Sequence, residues 1–172
     1  MNESVAPLPV SALRVAEWDA AYREYGPALL RFLRRLSQTR SVAEELVQET
    51  FVRAMQAANV PERAQELRPW LYRIATNVAI DRLRRDRRFS FIPFAGSELA
   101  PERDMDQIDL VRRALRAIPP EQATALVLRL HEGFGPHEIA EMLGVSEAAV
   151  RSRLVRGRRK FLETYERFGG MA

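Results

Sequence analysis

The chain has 172 residues, of which 47% are hydrophobic and 8% aromatic, ample for packed helices and thin for a β-sandwich core. It has no cysteine and no run near the ~20 apolar residues of a membrane span, which excludes a disulfide framework, a thiolate metal site and a spanning helix and points to a soluble, cytoplasmic protein. The net charge is only +4, but Lys160 is the sole lysine, so nearly every cation is an arginine, whose planar donor fork suits phosphates and guanine edges.

Residues 1–12, with Pro7 and Pro9, read as a loose N-terminal arm. A first helical domain is expected over 13–88. Its first helix carries Trp18, Ala21, Tyr25, Leu29, Phe32, Leu33 and Leu36 at helical spacing, with a bend expected at Gly26-Pro27. Ser41 is the expected N-cap of a second helix, with acids in its first turn and an end near Asn59, before Pro61. One face of that helix is apolar (Ala43, Leu46, Val47, Phe51, Ala54), and the other holds Glu44, Glu45, Gln48, Glu49 and Arg53. Pro69 is expected to open a third helix, apolar around much of its circumference and therefore central. On it Trp70, Arg73, Asn77 and Arg84 recur at spacings that put them near one face, and five arginines crowd between Arg82 and Arg88.

Residues 89–104 combine Pro93, Gly96 and Pro101 with three phenylalanines and several acids, and read as an interdomain linker. A second domain is expected over 105–172. Its helices are marked by Ile108, Val111, Leu115 and Ile118, then by Ala123, Leu126 and Val127. Gly133-Phe134-Gly135 reads as a turn, Pro136 as the start of a short helix and Ser146 as the N-cap of a last one, running from Glu147 to about Phe168. The expected architecture is all-α, two small helical domains joined by a flexible linker.

The strongest local pattern is HEIAEMLGVSEAAVRSRLVRGRRKF. A helix-turn-helix needs a short first helix, a turn whose glycine takes a left-handed backbone, and a second helix crossing the first closely. Ile139, Ala140 and Leu143 supply the inner face, Gly144 the turn, and Val150, Leu154, Gly157 and Phe161 the back of the second helix. Arg151, Ser152, Val155, Arg156 and Arg159 then face outward, offering fork-shaped donors, a hydroxyl and an apolar group for a thymine methyl. Between Glu147 and Lys160 six cations meet one acid. With the Arg82–Arg88 run this makes two basic clusters far apart in sequence, which suits a long polyanion.

With these motifs in place the chain resembles the extracytoplasmic-function (ECF) family of RNA polymerase sigma factors. VAEELVQETFVRAM and RPWLYRIATNVAIDRLRR are similar to that family's region two. AIPPEQATALVLRLHEGFGPHEIAEMLGVSEAAVRSRLVRGRRKFL is similar to its region four, and the likeness spans roughly residues 20 to 165. The resemblance implies a factor that binds bacterial RNA polymerase core and recognises and opens promoter DNA. It places core docking on Glu44, Glu45, Gln48 and Glu49, although the family's usual aspartate is replaced by Val42. It places −10 element binding on Trp70, Arg73, Asn77, Asp81, Arg82, Arg84, Arg85 and Arg88, where flipped bases need an apolar pocket, polar edges and backbone cations. Trp70 is equally readable as a core residue. The −35 element falls to Arg151, Ser152, Val155 and Arg156, with Arg158, Arg159 and Lys160 on the DNA backbone. The family also implies an anti-sigma partner and a chain that is monomeric until it meets polymerase. Glu98, Glu102 and Asp104 suit either a connector threading polymerase channels or a plain solvated linker.

A catalytic reading finds little support. His131 and His137 are six apart, not the i, i+4 pair of a zinc protease, and are expected at the surface. Gly133-Phe134-Gly135 lacks the lysine and preceding strand of a phosphate loop, so no enzyme activity, metal or cofactor is expected. The rival is a helix-turn-helix regulator with an N-terminal dimerisation or sensing domain. It accounts for the second half and leaves the acidic helix and the arginine-rich third helix unexplained.

Overall fold

The computed structural model describes residues 15–61, 63–89 and 107–170, and every regular element among them is an α-helix. The expected arm at 1–12 lies outside the described residues, as does the expected linker of 89–104 except for Phe89, which ends the third helix. The first half consists of α1 (Val15–Leu36), α2 (Arg40–Gln56) and α3 (Ala64–Phe89). The second consists of α4 (Gln107–Ala117), α5 (Pro120–Leu130), α6 (Pro136–Leu143) and α7 (Glu147–Arg167).

Two helix starts differ from the expectation. The cap of α2 is Thr39, whose extended backbone lets Oγ1 accept the Val42 N–H at 3.2 Å, while Ser41 is already inside the first turn. Because the helix begins earlier, its first turn holds no acid; it also ends at Gln56, short of Asn59. Pro69 does not open α3 but lies inside it, after a preceding helical turn from Ala64. As the sixth helical residue it lies past the first-turn N–H groups that lack acceptors, so it gives up the intrahelical bond an N–H there would make to the Gln65 carbonyl. α1 continues as one helix across Gly26-Pro27.

α3 is central to the first half. It buries Leu71, Tyr72, Ala75, Val78, Ala79 and Leu83 against Leu29, Phe32 and Leu33 of α1 and Leu46, Val47 and Phe51 of α2. In the second half α5 plays that role, burying Ala123 through Leu128 beneath α6 and α7. The two halves share one continuous core.

Their junction is built on an aromatic chain. The Tyr72 ring lies 5.3 Å from Phe32 of its own half and 5.0 Å from Phe134 of the other. Phe134 is 1% exposed, although it sits in the glycine turn. The Tyr72 hydroxyl donates to Glu132 Oε2 at 2.7 Å, and Arg68 stacks over Phe134 at 4.4 Å while donating to the Glu132 carbonyl at 3.0 Å. Burial first, then the bond to Glu132 and its charge, pushes the Tyr72 phenol far above its ordinary range. Near the C-terminal end of α3, Arg84 Nε donates to Glu121 at 3.1 Å, and Arg87 donates to the carbonyls of Arg116 and Ile118. Arg116 in turn reaches the Ser37 carbonyl at 2.9 Å.

The Arg84–Glu121 pair makes the junction sensitive to acid. Burial alone would raise the Glu121 carboxyl, but the Arg84 hydrogen bond, its own backbone N–H and the charges of Arg84 and Arg153 outweigh it and hold the group below its ordinary 4.5. A carboxylate depressed in the folded state stabilises that state above its unfolded pKa and loses the contribution as pH falls through the folded value. Urea denaturation of the intact chain and of Glu121→Gln at pH 7 and below 4.5 should therefore show a wild-type advantage that shrinks on acidification. A constant difference across that range would mean that the pair does not couple the halves.

Candidate nucleic-acid interface

The helix-turn-helix forms where local sequence favours it and tertiary packing can use it. Gly135 precedes Pro136, and its N–H donates to Glu138 Oε2 at 2.7 Å, closing the N-terminus of α6. α6 ends at Gly144, whose φ of 63° and ψ of 40° place it in the left-handed region the turn requires. Ser146 then caps α7, its Oγ accepting the Ala149 N–H at 3.2 Å. Ile139, Ala140 and Val150 are buried where the two helices meet. Gly157 lets α7 lie close on α5, since a Cβ there would stand 3.1 Å from that of Gln122.

The opposite face of α7 is open. Arg151, Ser152, Val155, Arg156, Arg158, Arg159 and Lys160 are all exposed, and Val155 is a bare apolar group at 72% exposure. Arg151 pairs with Glu147 at 3.0 Å and Arg159 with Glu163 at 3.7 Å. Such exposed i, i+4 pairs contribute only about 0.3–0.5 kcal/mol, so a phosphate or base edge displaces them at little cost. His137 is exposed and ties α6 to α7 through Glu147 at 3.2 Å, and His131 is exposed as well.

In the first half the candidate residues line α3. Arg73, Asn77, Asp81, Arg84 and Arg85 are exposed, while Trp70 is half-buried, packed on the core with part of its surface free. The arginine cluster divides by partner. Arg82 turns to Asp86 at 2.9 Å and towards Glu45 at 3.8 Å, whereas Arg84 and Arg87 hold the second half. Arg88 belongs to α3, and its side chain lies outside the described residues. Asp81 stands 3.8 Å from Arg53 of α2.

The carboxylates of α2 form a polar face bordering the α3 cations. Glu44, Glu45 and Gln48 are exposed and Glu49 is half-buried. Glu44 pairs with Arg40 at 2.8 Å and Glu49 with Arg53 at 2.6 Å. Val42 is half-buried against the core, at the edge where the apolar and polar faces meet. Sequence reasoning passed over Tyr72, Glu121, Glu132 and Phe134, which join the halves. The one available signal was a large aromatic between two glycines, a position that makes sense only if another element covers it.

Two families match the chain, Sigma-70 region 2 over residues 21–89 and Sigma-70, region 4 over residues 108–161. The ECF RNA polymerase sigma factor SigE of Mycolicibacterium smegmatis is 33% identical over 83% of this chain, which spans 59% of that relative's length. SigM of Mycobacterium tuberculosis is 31% identical over 82% of this chain and 73% of its own length. CarQ of Myxococcus xanthus, an RNA polymerase sigma factor, is 31% identical over 85% and 87%. Among solved structures, the sigma factor RpoE of Bartonella quintana, in complex with the anti-sigma factor NepR, is similar at a TM-score of 0.66 and 26% identity, covering 88% of this chain and 98% of its own.

The turn geometry gives a direct test. Gly144→Ala forces a Cβ into the left-handed region and should lower stability by roughly 1–2 kcal/mol in chemical denaturation. Undiminished stability would show that the turn can re-form with a different backbone.

Proposed function

This chain belongs to the ECF family of RNA polymerase sigma factors, and from that membership we propose that it binds the polymerase core and directs promoter recognition, DNA opening and transcription initiation. The observation that carries the assignment of surfaces is the exposed α7 face of arginines around Ser152 and Val155, presented by a capped helix-turn-helix. A major groove accepts such a helix, and guanidinium forks and an apolar side chain match guanine edges and thymine methyls. In this reading Arg151, Ser152, Val155 and Arg156 read the −35 element while Arg158, Arg159 and Lys160 hold its phosphates. Trp70, Arg73, Asn77, Asp81, Arg82, Arg84, Arg85 and Arg88 take the −10 element, with aromatic surface and cations serving an unpaired strand. Glu44, Glu45, Gln48 and Glu49 dock on a basic surface of the core.

The chain works in the cytoplasm, without catalytic activity of its own, as a monomer until it joins the core. Among the described residues no helix is long and apolar enough to cross a membrane. The likeness to a sigma factor solved with its antagonist supports control by an anti-sigma protein. Residues 13–88 and 105–172 act as the two functional units.

Transcription in vitro with purified bacterial core on a fragmented genomic library tests the function. Initiation at a shared two-block motif, dependent on this chain, is the expected result. DNA binding without core and without new start sites would favour an ordinary helix-turn-helix regulator. Arg151→Ala with Arg156→Ala should cost on the order of 1–3 kcal/mol per lost base contact and relax −35 selectivity, with −10 preference unchanged. Unaltered −35 selectivity removes these residues from the reading surface. Glu45→Lys with Glu49→Lys should weaken competition for core by charge reversal, and undiminished competition would move the docking face elsewhere.

A further inference from the structure

A cavity of about 450 Å³ opens between the halves, on the side of α1 that faces α4 and α7. Two helices bring guanidinium groups to it, Arg31, Arg34 and Arg35 from α1 and Arg112 from α4, joined by His131 at the end of α5. Tyr165 of α7 also lines it, held nearly parallel to Phe161 at 5.7 Å and 15°. No carboxylate lines the cavity among the described residues.

This arrangement is unfavourable on its own. Residues three and four apart on a helix face each other, so Arg31 repels both Arg34 and Arg35. Two acids lie nearby: Asp109, 58% exposed, pairs with Arg112 at 3.0 Å, and Glu132 attracts Arg35. Burial first, then the repulsion of Arg112 and Arg31, keeps the Arg35 guanidinium below its ordinary range despite Glu132. Arg34 Nη1 and Arg112 Nε are buried and have no hydrogen-bond partner among the described residues. Those two donors lie behind the cavity surface and add to the cost of the cluster, while the guanidinium groups that line the cavity offer further N–H forks that an anion with several oxygens would bridge.

We propose that this cavity is a binding site for a small polyphosphate anion, with Arg31, Arg34, Arg35 and Arg112 on the phosphates and Tyr165 placed to stack a base when the ligand is a nucleotide. The volume falls within the ~300–1,000 Å³ of small-molecule sites, and guanidinium forks match phosphate oxygens in pairs. A stacked Tyr165 supplies a fixed aromatic wall of the kind bases use. The ligand would touch α1 in one half and α4 and α7 in the other, bridging the junction. The site is separate from the α7 outer face and from the α2 acids, so it is independent of the promoter and core-docking assignments.

Calorimetric titration of the full chain, without DNA or polymerase, with inorganic tripolyphosphate and with GTP tests this. Saturable binding is expected, weakened on the order of tenfold or more in Arg34→Gln with Arg112→Gln, in line with the loss of charge-assisted bonds. Arg31→Gln, an exposed position on α1, should weaken binding several-fold with no threat to folding. Arg151→Ala with Arg156→Ala should leave the affinity unchanged, separating this site from the DNA-reading face. GTP binding tighter than tripolyphosphate, with the margin abolished by Tyr165→Ala, identifies a nucleotide; equal affinities identify the phosphate chain alone. The proposal is overturned if neither ligand saturates, if the α1 and α4 variants bind as the wild type does, or if an acidic peptide binds there and tripolyphosphate does not.

Discussion

Tyr72 has to satisfy two halves of the molecule at once. Its ring packs between Phe32 and Phe134, and its hydroxyl must find an acceptor because the ring is buried. Glu132 supplies that acceptor, and its backbone carbonyl also receives Arg68, which covers Phe134. One short turn, Glu132 to Phe134, therefore carries a carboxylate, a carbonyl and an aromatic ring into the first half. Gly133, at φ 80°, lets the chain make that turn. The core shared by the halves runs through this junction, and α6 packs on α3 beside it.

The junction also divides the work of the basic residues. α3 carries a dense run of arginines, but they do not form one undifferentiated patch. Arg84 and Arg87 point across to Glu121 and to carbonyls at the α4–α5 turn, and Arg82 turns back to Asp86 and Glu45. Arg73 and Arg85 stay exposed beside Asn77. For Arg84 to serve a nucleic acid it must leave Glu121, so in this arrangement the inter-half contact and strand binding compete for one side chain. On the outer face of α7, Arg151 and Arg159 pair with acids of the same helix, and Arg156, Arg158 and Lys160 are exposed, where exchange for phosphate costs little.

The helical periods, the all-α class and the helix-turn-helix were legible because each rests on short-range physics. Apolar residues at three- and four-residue spacing must share a face, Gly144 is suited to a left-handed turn, and Ser146 caps the helix that follows. Helix starts were less legible. Thr39 and Ser41 can both cap a helix, and only the extended backbone at Thr39 decides between them. Pro69 fits a first turn by propensity, yet Ala64 to Arg68 precede it as helix.

Thus the residues by themselves determined the fold class, the buried stripes and the helix-turn-helix, since all of these depend on neighbours a few positions apart, and the order of the motifs carried the resemblance to a sigma factor. Only the tertiary structure decided that Phe134 is core and not a turn tip, that Tyr72 meets Glu132, and that Arg84 is held by Glu121. It also decided that arginines from α1 and α4 surround a shared cavity. Those pairings join residues tens of positions apart, and no local period encodes which charge or ring will lie opposite another once two amphipathic layers close on each other.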